Sequence, residues 1–230
     1  PLPDAAAAYG GIIQFDASHV LARIAGRAYP TPLQEGAHVI TSSTHKTVAG
    51  PQGGVLLTDD TALYEHIGPS IYPAIVTNHH LHRLPALAVA AAEWTAFGRE
   101  HATAVVENAR ALAKELAAEN LPVVGAAYGY TTTHTVLVSS PEAPVVGKRL
   151  EAADILASPV GLPSELEGGC LRIGVQEITR RGFTVDQAPA VARLIAAAWK
   201  SERAAGEIAA DVAGLVRSWQ DWRFTWPIDT

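Results

Sequence analysis

A lysine that is to attack a carbonyl must shed its proton near neutral pH, and the surroundings of Lys46 favour that loss. Val39 and Ile40 are apolar, Thr41-Ser42-Ser43-Thr44 supplies hydroxyls, His45-Lys46-Thr47 follows, and Gly50-Pro51-Gln52-Gly53-Gly54 turns the chain. A strand running into a glycine-bracketed turn delivers one side chain into a confined polar place. Burial among hydroxyls and backbone dipoles lowers a lysine's pKa, and the free amine then forms an imine with a carbonyl. A lysine on a solvated loop has the same composition around it, so both readings stand on this stretch alone.

Asp16 is the second candidate. It closes a short apolar run over residues 11–15 and lies one predicted strand away from the lysine. A carboxylate there can keep a heteroaromatic nitrogen protonated. Such an aspartate and an imine-forming lysine are the paired requirements of pyridoxal phosphate chemistry. The same aspartate could instead cap a helix beginning near Ser18.

The elements that must position these groups follow from the hydrophobic rhythm. Apolar runs at 11–15, 38–40 and 55–57 are each bounded by turn residues and predict buried parallel strands. A brief helix is expected over 20–25, and another after Asp59-Asp60, whose carboxylates suit a first turn. Between Leu81 and Asn120, apolar residues at helical spacing predict one long helix or two consecutive ones, with Gly98 the weak point and Pro85 tolerable near the start. Strands are then expected over 123–126, 135–138 and 171–173, with a helix over 148–156 and closing helices over 185–216. The pattern is an α/β class fold, divided into a domain over 1–105 that includes a bridging helix and a small α+β domain over 106–230.

Composition narrows the partners. A net charge of -6 without a basic run argues against nucleic acid and against a polybasic membrane surface. The single cysteine, Cys170, cannot form an internal disulfide, and no apolar run reaches the length of a membrane span, so a cytoplasmic protein is expected. The spacing of His79, His80 and His82 fits no common zinc pattern, and no metal is expected.

Several stretches together carry a resemblance. Asp16-Ala17-Ser18-His19, Tyr29-Pro30-Thr31-Pro32, the run from Thr41 to Thr47, Gly50-Pro51-Gln52-Gly53-Gly54, Tyr72-Pro73, Thr133-His134-Thr135-Val136-Leu137-Val138, Leu171-Arg172-Ile173-Gly174 and Glu177-Ile178-Thr179-Arg180-Arg181-Gly182 resemble the serine hydroxymethyltransferase family, in that family's order. The resemblance implies the C-terminal part of a fold type I large domain, mostly parallel in its sheet, plus a small α+β domain. It implies pyridoxal 5'-phosphate bound covalently to Lys46, with Asp16 on the ring nitrogen and His19 near the phenolic oxygen. Ser43 stands where a hydroxyl assists imine exchange. His45 adjoins the cofactor in the family, and supporting the loop is an equal reading. Arg172 matches the arginine that grips a substrate carboxylate.

Three departures sharpen this. Gln52 stands where hydroxymethyltransferases usually carry arginine. Val76-Thr77-Asn78-His79-His80 replaces a glycine turn at the cofactor phosphate, leaving Thr77 and Asn78 to donate through side chains. Ser158-Pro159-Val160-Gly161-Leu162-Pro163 replaces a folate contact and, with Gln176-Glu177 and Asn78-His79-His80, is similar to the threonine transaldolase and α-methylserine branch, which works largely without tetrahydrofolate. The segments that supply the phosphate loop, the ring-stacking group and the hydroxyl-proton base in this fold type are not found before Asp16. The resemblance therefore implies a split enzyme. A second polypeptide would supply the N-terminal half, in a hetero-oligomer such as a dimer of heterodimers, acting on small β-hydroxy-α-amino acids by hydroxymethyl transfer or transaldol transfer. The rival expectations are a non-catalytic subunit that stabilises or regulates an active homologue, and a piece of one longer enzyme.

Overall fold

The computed structural model describes residues 2–78, 80–162, 168–219 and 222–227. They separate into two compact units, residues 1–102 with 225–230, and residues 103–224.

In the first unit, α1 (Leu2–Tyr9) precedes β1 (Gln14–Asp16), α2 (Leu21–Ala25), β2 (Val39–Ser43), β3 (Gly54–Leu57) and α3 (Thr61–Pro69). β2 is the central strand, in the order β1-β2-β3. β1 runs parallel to it with Asp16 opposite Thr41, as the apolar runs predict. β3 does not: it runs antiparallel, pairing Ser43 with Gly54 and Ile40 with Leu57. Only the loop from Thr44 to Gly53 joins the two strands, too short for the crossover of a dozen or more residues that parallel strands need. Nor are all three strands buried. Val39 and Ile40 are, whereas Gln14, Asp16 and Leu57 are exposed on the outer strands. Asp60 caps α3, its carboxylate accepting from the Leu63 amide at 3.0 Å.

A single helix, α4 (Arg83–Ala118), covers the stretch expected to hold one helix or two. Gly98 is no break in it. A Cβ there would lie 2.8 Å from Cε3 of Trp94, and one on Gly26 would lie 2.4 Å from the Gly98 carbonyl oxygen, so the glycines permit close packing. Pro85 falls in the first turn, where its missing N–H costs nothing.

The second unit contains β4 (Thr135–Ser139), α5 (Ala143–Ala152), β5 (Ser158–Gly161), β6 (Gly169–Gly174), α6 (Gln176–Arg180), α7 (Ala188–Lys200) and α8 (Ala205–Arg217). Its antiparallel sheet has the order β4-β6-β5. β5 is unforeseen, because Pro159 argues against a strand except at an edge, which is where it sits. The strand expected at 123–126 reduces to one bridge between Val123 and Val138, since Gly125 turns left-handed at φ 87°. The helix expected at 148–156 begins earlier, at Ala143, with a proline in its first turn. A continuous apolar core includes Leu112, Leu116, Val136, Leu150, Leu171, Phe183 and Ile208, all fully buried or nearly so. Within it the amide of Asn108 donates to the Thr179 hydroxyl at 3.0 Å and the Phe183 carbonyl at 2.8 Å. No helix among the described residues is long and apolar enough to cross a membrane.

Candidate active site

Parallel strands direct their carboxyl ends to one edge of the sheet, where ligands of α/β folds bind. β1 ends at Asp16, and β2 runs through Ser43 into Thr44-His45-Lys46. The Ala17 amide donates to the Thr41 carbonyl at 2.8 Å, extending the pairing past Asp16. The Ser18 amide donates to Oδ1 of Asp16 at 2.8 Å, a local turn that orients the carboxylate. Asp16 is held below the usual aspartate range, first by hydrogen bonds from the Ser18 side chain and amide. Burial opposes this slightly, and the positive charges of Lys46 and His19 add to it. Ser43 Oγ donates to the Ser18 carbonyl at 3.4 Å, joining the two strand ends.

The lysine loop is closed by its own backbone. The Thr44 amide donates to the Gly53 carbonyl at 3.0 Å, and the Gly50 amide donates to the Thr44 carbonyl at 2.9 Å. The buried Thr44 hydroxyl donates to the Pro51 carbonyl at 2.6 Å. A Cβ at Gly50 would lie 2.9 Å from that Thr44 carbonyl oxygen, which explains the glycine. His45 Nδ1 accepts from the Gly53 amide at 3.4 Å, so its ring supports the loop from within. Lys46 itself is exposed beyond this frame. Next to it Thr47 is buried, and its hydroxyl has no hydrogen-bond partner among the described residues.

The structure thus joins Asp16, Ser43, His45 and Lys46 on two neighbouring strand ends, with His19 close enough to act on Asp16 through its charge. Thr77 and Asn78 are exposed on the segment after Ile75, in the same unit, and no described hydrogen bond links them to the lysine loop. Arg172 belongs to the second unit. It lies on β6 between Leu137 of β4 and Ser158 of β5, half-buried, while its neighbours Leu171 and Ile173 face the core. The nearby Cys170 thiol is buried, and burial pushes its pKa up against the opposing charge of Arg172. The described residues contain no group of three or more His, Cys, Asp or Glu suited to a metal ion. The rings of His80 and His82 meet edge to face at 5.9 Å, and His79 lies outside the described residues.

Two contributors escape the sequence reading. Ser18 is recognisable in retrospect, because a residue two positions after an aspartate is placed to donate to it. Thr44 offers no such signal; its clasp on Pro51 depends on how the turn folds.

The residues present fit pyridoxal phosphate. An anionic carboxylate stands at one strand end, an exposed primary amine follows the next, and a buried hydroxyl beside that amine has no partner among the described residues.

Residues 2–195 match the family model described as serine hydroxymethyltransferase. The chain is 42% identical over 196 residues to serine hydroxymethyltransferase of Sulfolobus acidocaldarius, covering 82% of this chain and 45% of that protein. It is 40% identical over 229 residues to the enzyme of Methanopyrus kandleri, covering 96% of this chain and 53% of that one. The crystal structure of L-threonine transaldolase from Pseudomonas fluorescens superposes with a TM-score of 0.89 at 28% identity, covering 94% of this chain and 51% of that chain. The chain spans about half the length of the curated relatives it matches.

Proposed function

The chain belongs to the serine hydroxymethyltransferase family, and from that premise we propose that it carries Lys46, Asp16 and Arg172 of a pyridoxal-phosphate transferase acting on β-hydroxy-α-amino acids. Its architecture is the C-terminal part of the fold type I α/β design. One observation carries the assignment of the site: β1 and β2 are parallel with Asp16 opposite Thr41, so the carboxylate ending β1 and the lysine following β2 stand at the same edge of the sheet.

Pyridoxal phosphate, when bound, supplies an electron sink for the pair left on the substrate's α-carbon when its bond to the β-carbon breaks. Lys46 would hold the cofactor through Nζ and give way to the substrate's amino group. Asp16, kept anionic by Ser18, would pair with the protonated ring nitrogen. Ser43, tied to the Ser18 carbonyl, would assist the exchange at Lys46, while His19 and His45 flank the cofactor. Thr77 and Asn78 would donate to its phosphate. Arg172 would hold the amino acid's carboxylate through two parallel N–H donors.

The other half of the fold would come from a second polypeptide. Both outer strands of the three-stranded sheet lack a further strand among the described residues, and the relatives are about twice as long. Open edges of this kind are ordinarily paired or covered. Transaldol transfer is favoured over folate-dependent transfer by the likeness to L-threonine transaldolase and by β5, whose Ser158-Pro159-Val160-Gly161 sequence departs from the folate-binding pattern.

Affinity purification from the native host tests this reading. A second polypeptide should accompany the chain, and the complex should release an aldehyde from threonine or serine, a reaction abolished by Lys46→Ala. Parallel assays with and without tetrahydrofolate separate the two transfer types. A complex that cleaves neither amino acid under either condition contradicts the proposal.

A further inference from the structure

The lysine loop is also held from outside, and, on the reading that Lys46 carries the cofactor, we propose that Trp94 of α4 is a positioning residue for it. The indole Nε1–H donates to the Val48 carbonyl at 2.8 Å, two residues beyond the lysine. Ala49 follows with φ at 58°, a left-handed conformation unfavourable for a residue with a Cβ. Such a turn persists where its neighbours over-determine it. Here the Ala49 amide donates to the Lys46 carbonyl at 3.1 Å, the Gly50 amide returns to Thr44, and Trp94 fixes the carbonyl between them.

The indole is itself fixed. His101 stacks on it with ring centroids 4.9 Å apart and planes 21° from parallel. Gly98 leaves it room, since a Cβ there would lie 2.8 Å from Cε3. Residues 94, 98 and 101 recur at helical spacing on one face of α4, so the helix builds the seat from which the indole reaches the Val48 carbonyl, while Leu87 and Ala90 of the same helix lie against Gly50. A phenyl ring fills much of the same space without the donor. Its substitution would leave the Val48 carbonyl unpaired and free the turn carrying Lys46, and a misplaced reacting group loses much of its effective concentration.

The test is Trp94→Phe in the holoenzyme, read by the visible band of bound pyridoxal phosphate and by amide hydrogen exchange. Expected are a shift of about one pH unit in the titration midpoint of the band, cofactor release faster by about tenfold, and a rise of about tenfold in exchange over residues 44–53. Exchange in the peptides of α7 and α8 stays as it was. Gly98→Ala, which crowds the indole without removing its donor, should move the same readouts in the same direction. An unmoved titration with lowered unfolding stability would show a structural role only and overturn the proposal, as would unchanged exchange in the loop. A wild-type protein without the band removes the cofactor reading, and loop exchange alone then decides whether Trp94 tethers the turn.

Discussion

Asp16 shows how much of the chemistry is set by local contacts. Its neighbours along the chain, above all Ser18, keep the carboxyl ionised below the range of an ordinary aspartate, with Lys46 and His19 adding smaller effects. Ser18→Ala should therefore raise the Asp16 titration midpoint towards the ordinary aspartate range, measured by NMR on the carboxyl carbon, and should raise it more than Lys46→Ala does. The sign for stability follows from the depressed value. The ionised Asp16–Ser18 pair stabilises the folded chain above the unfolded-state pKa, and that contribution is lost as pH falls through the lower folded value. A midpoint that Ser18→Ala leaves in place contradicts this account. At this scale the sequence was informative: the aspartate, the lysine and the hydroxyl run are all readable from residue order. Thr44 and Trp94 were not, because the carbonyls they hold become their partners only once the turn has formed.

Among the elements, α4 has two tasks that its periodicity does not separate. Over 83–102 it packs in the first unit, where Gly98 and Gly26 permit close approach, and further along it presents Asn108 to the core of the second. Asn108 is a buried amide whose two acceptors belong to α6 and the segment just after it. Asn108→Leu leaves the Phe183 carbonyl without a donor and should cost about 2–4 kcal/mol in denaturant unfolding. A loss below about 0.5 kcal/mol, the range of ordinary surface substitutions, would show that the network does not hold α6. Strand direction was the poorest inference from sequence. An apolar run such as 55–57 reads identically in either direction, and the short connection from Thr44 to Gly53 was the signal that should have decided it. β5 was hidden by Pro159, which an edge position accommodates.

At the scale of the molecule, the three-stranded sheet has two open edges among the described residues. β1 and β3 are both outer strands among the described residues, exposed at Gln14, Asp16 and Leu57, although α/β sheets usually bury their central strands on both faces. The relatives are about twice as long as the matched chain, and on the proposed reading this chain contributes the lysine and the ring-nitrogen carboxylate to a larger assembly. The family and the partial α/β fold were legible in the order of the motifs. The proposed second polypeptide is not legible in the same way, because what closes an open edge is not encoded in the edge itself. The lysine is the most direct point of test. Lys46 shares the sequence with Lys114, Lys148 and Lys200, which serve as internal references. The protein is incubated with pyridoxal phosphate, reduced with borohydride, digested and mapped by mass spectrometry. The account predicts a pyridoxyl group on the peptide containing Lys46 and on none of the other three lysines. Modification spread evenly over all four, or absent from Lys46, would contradict it.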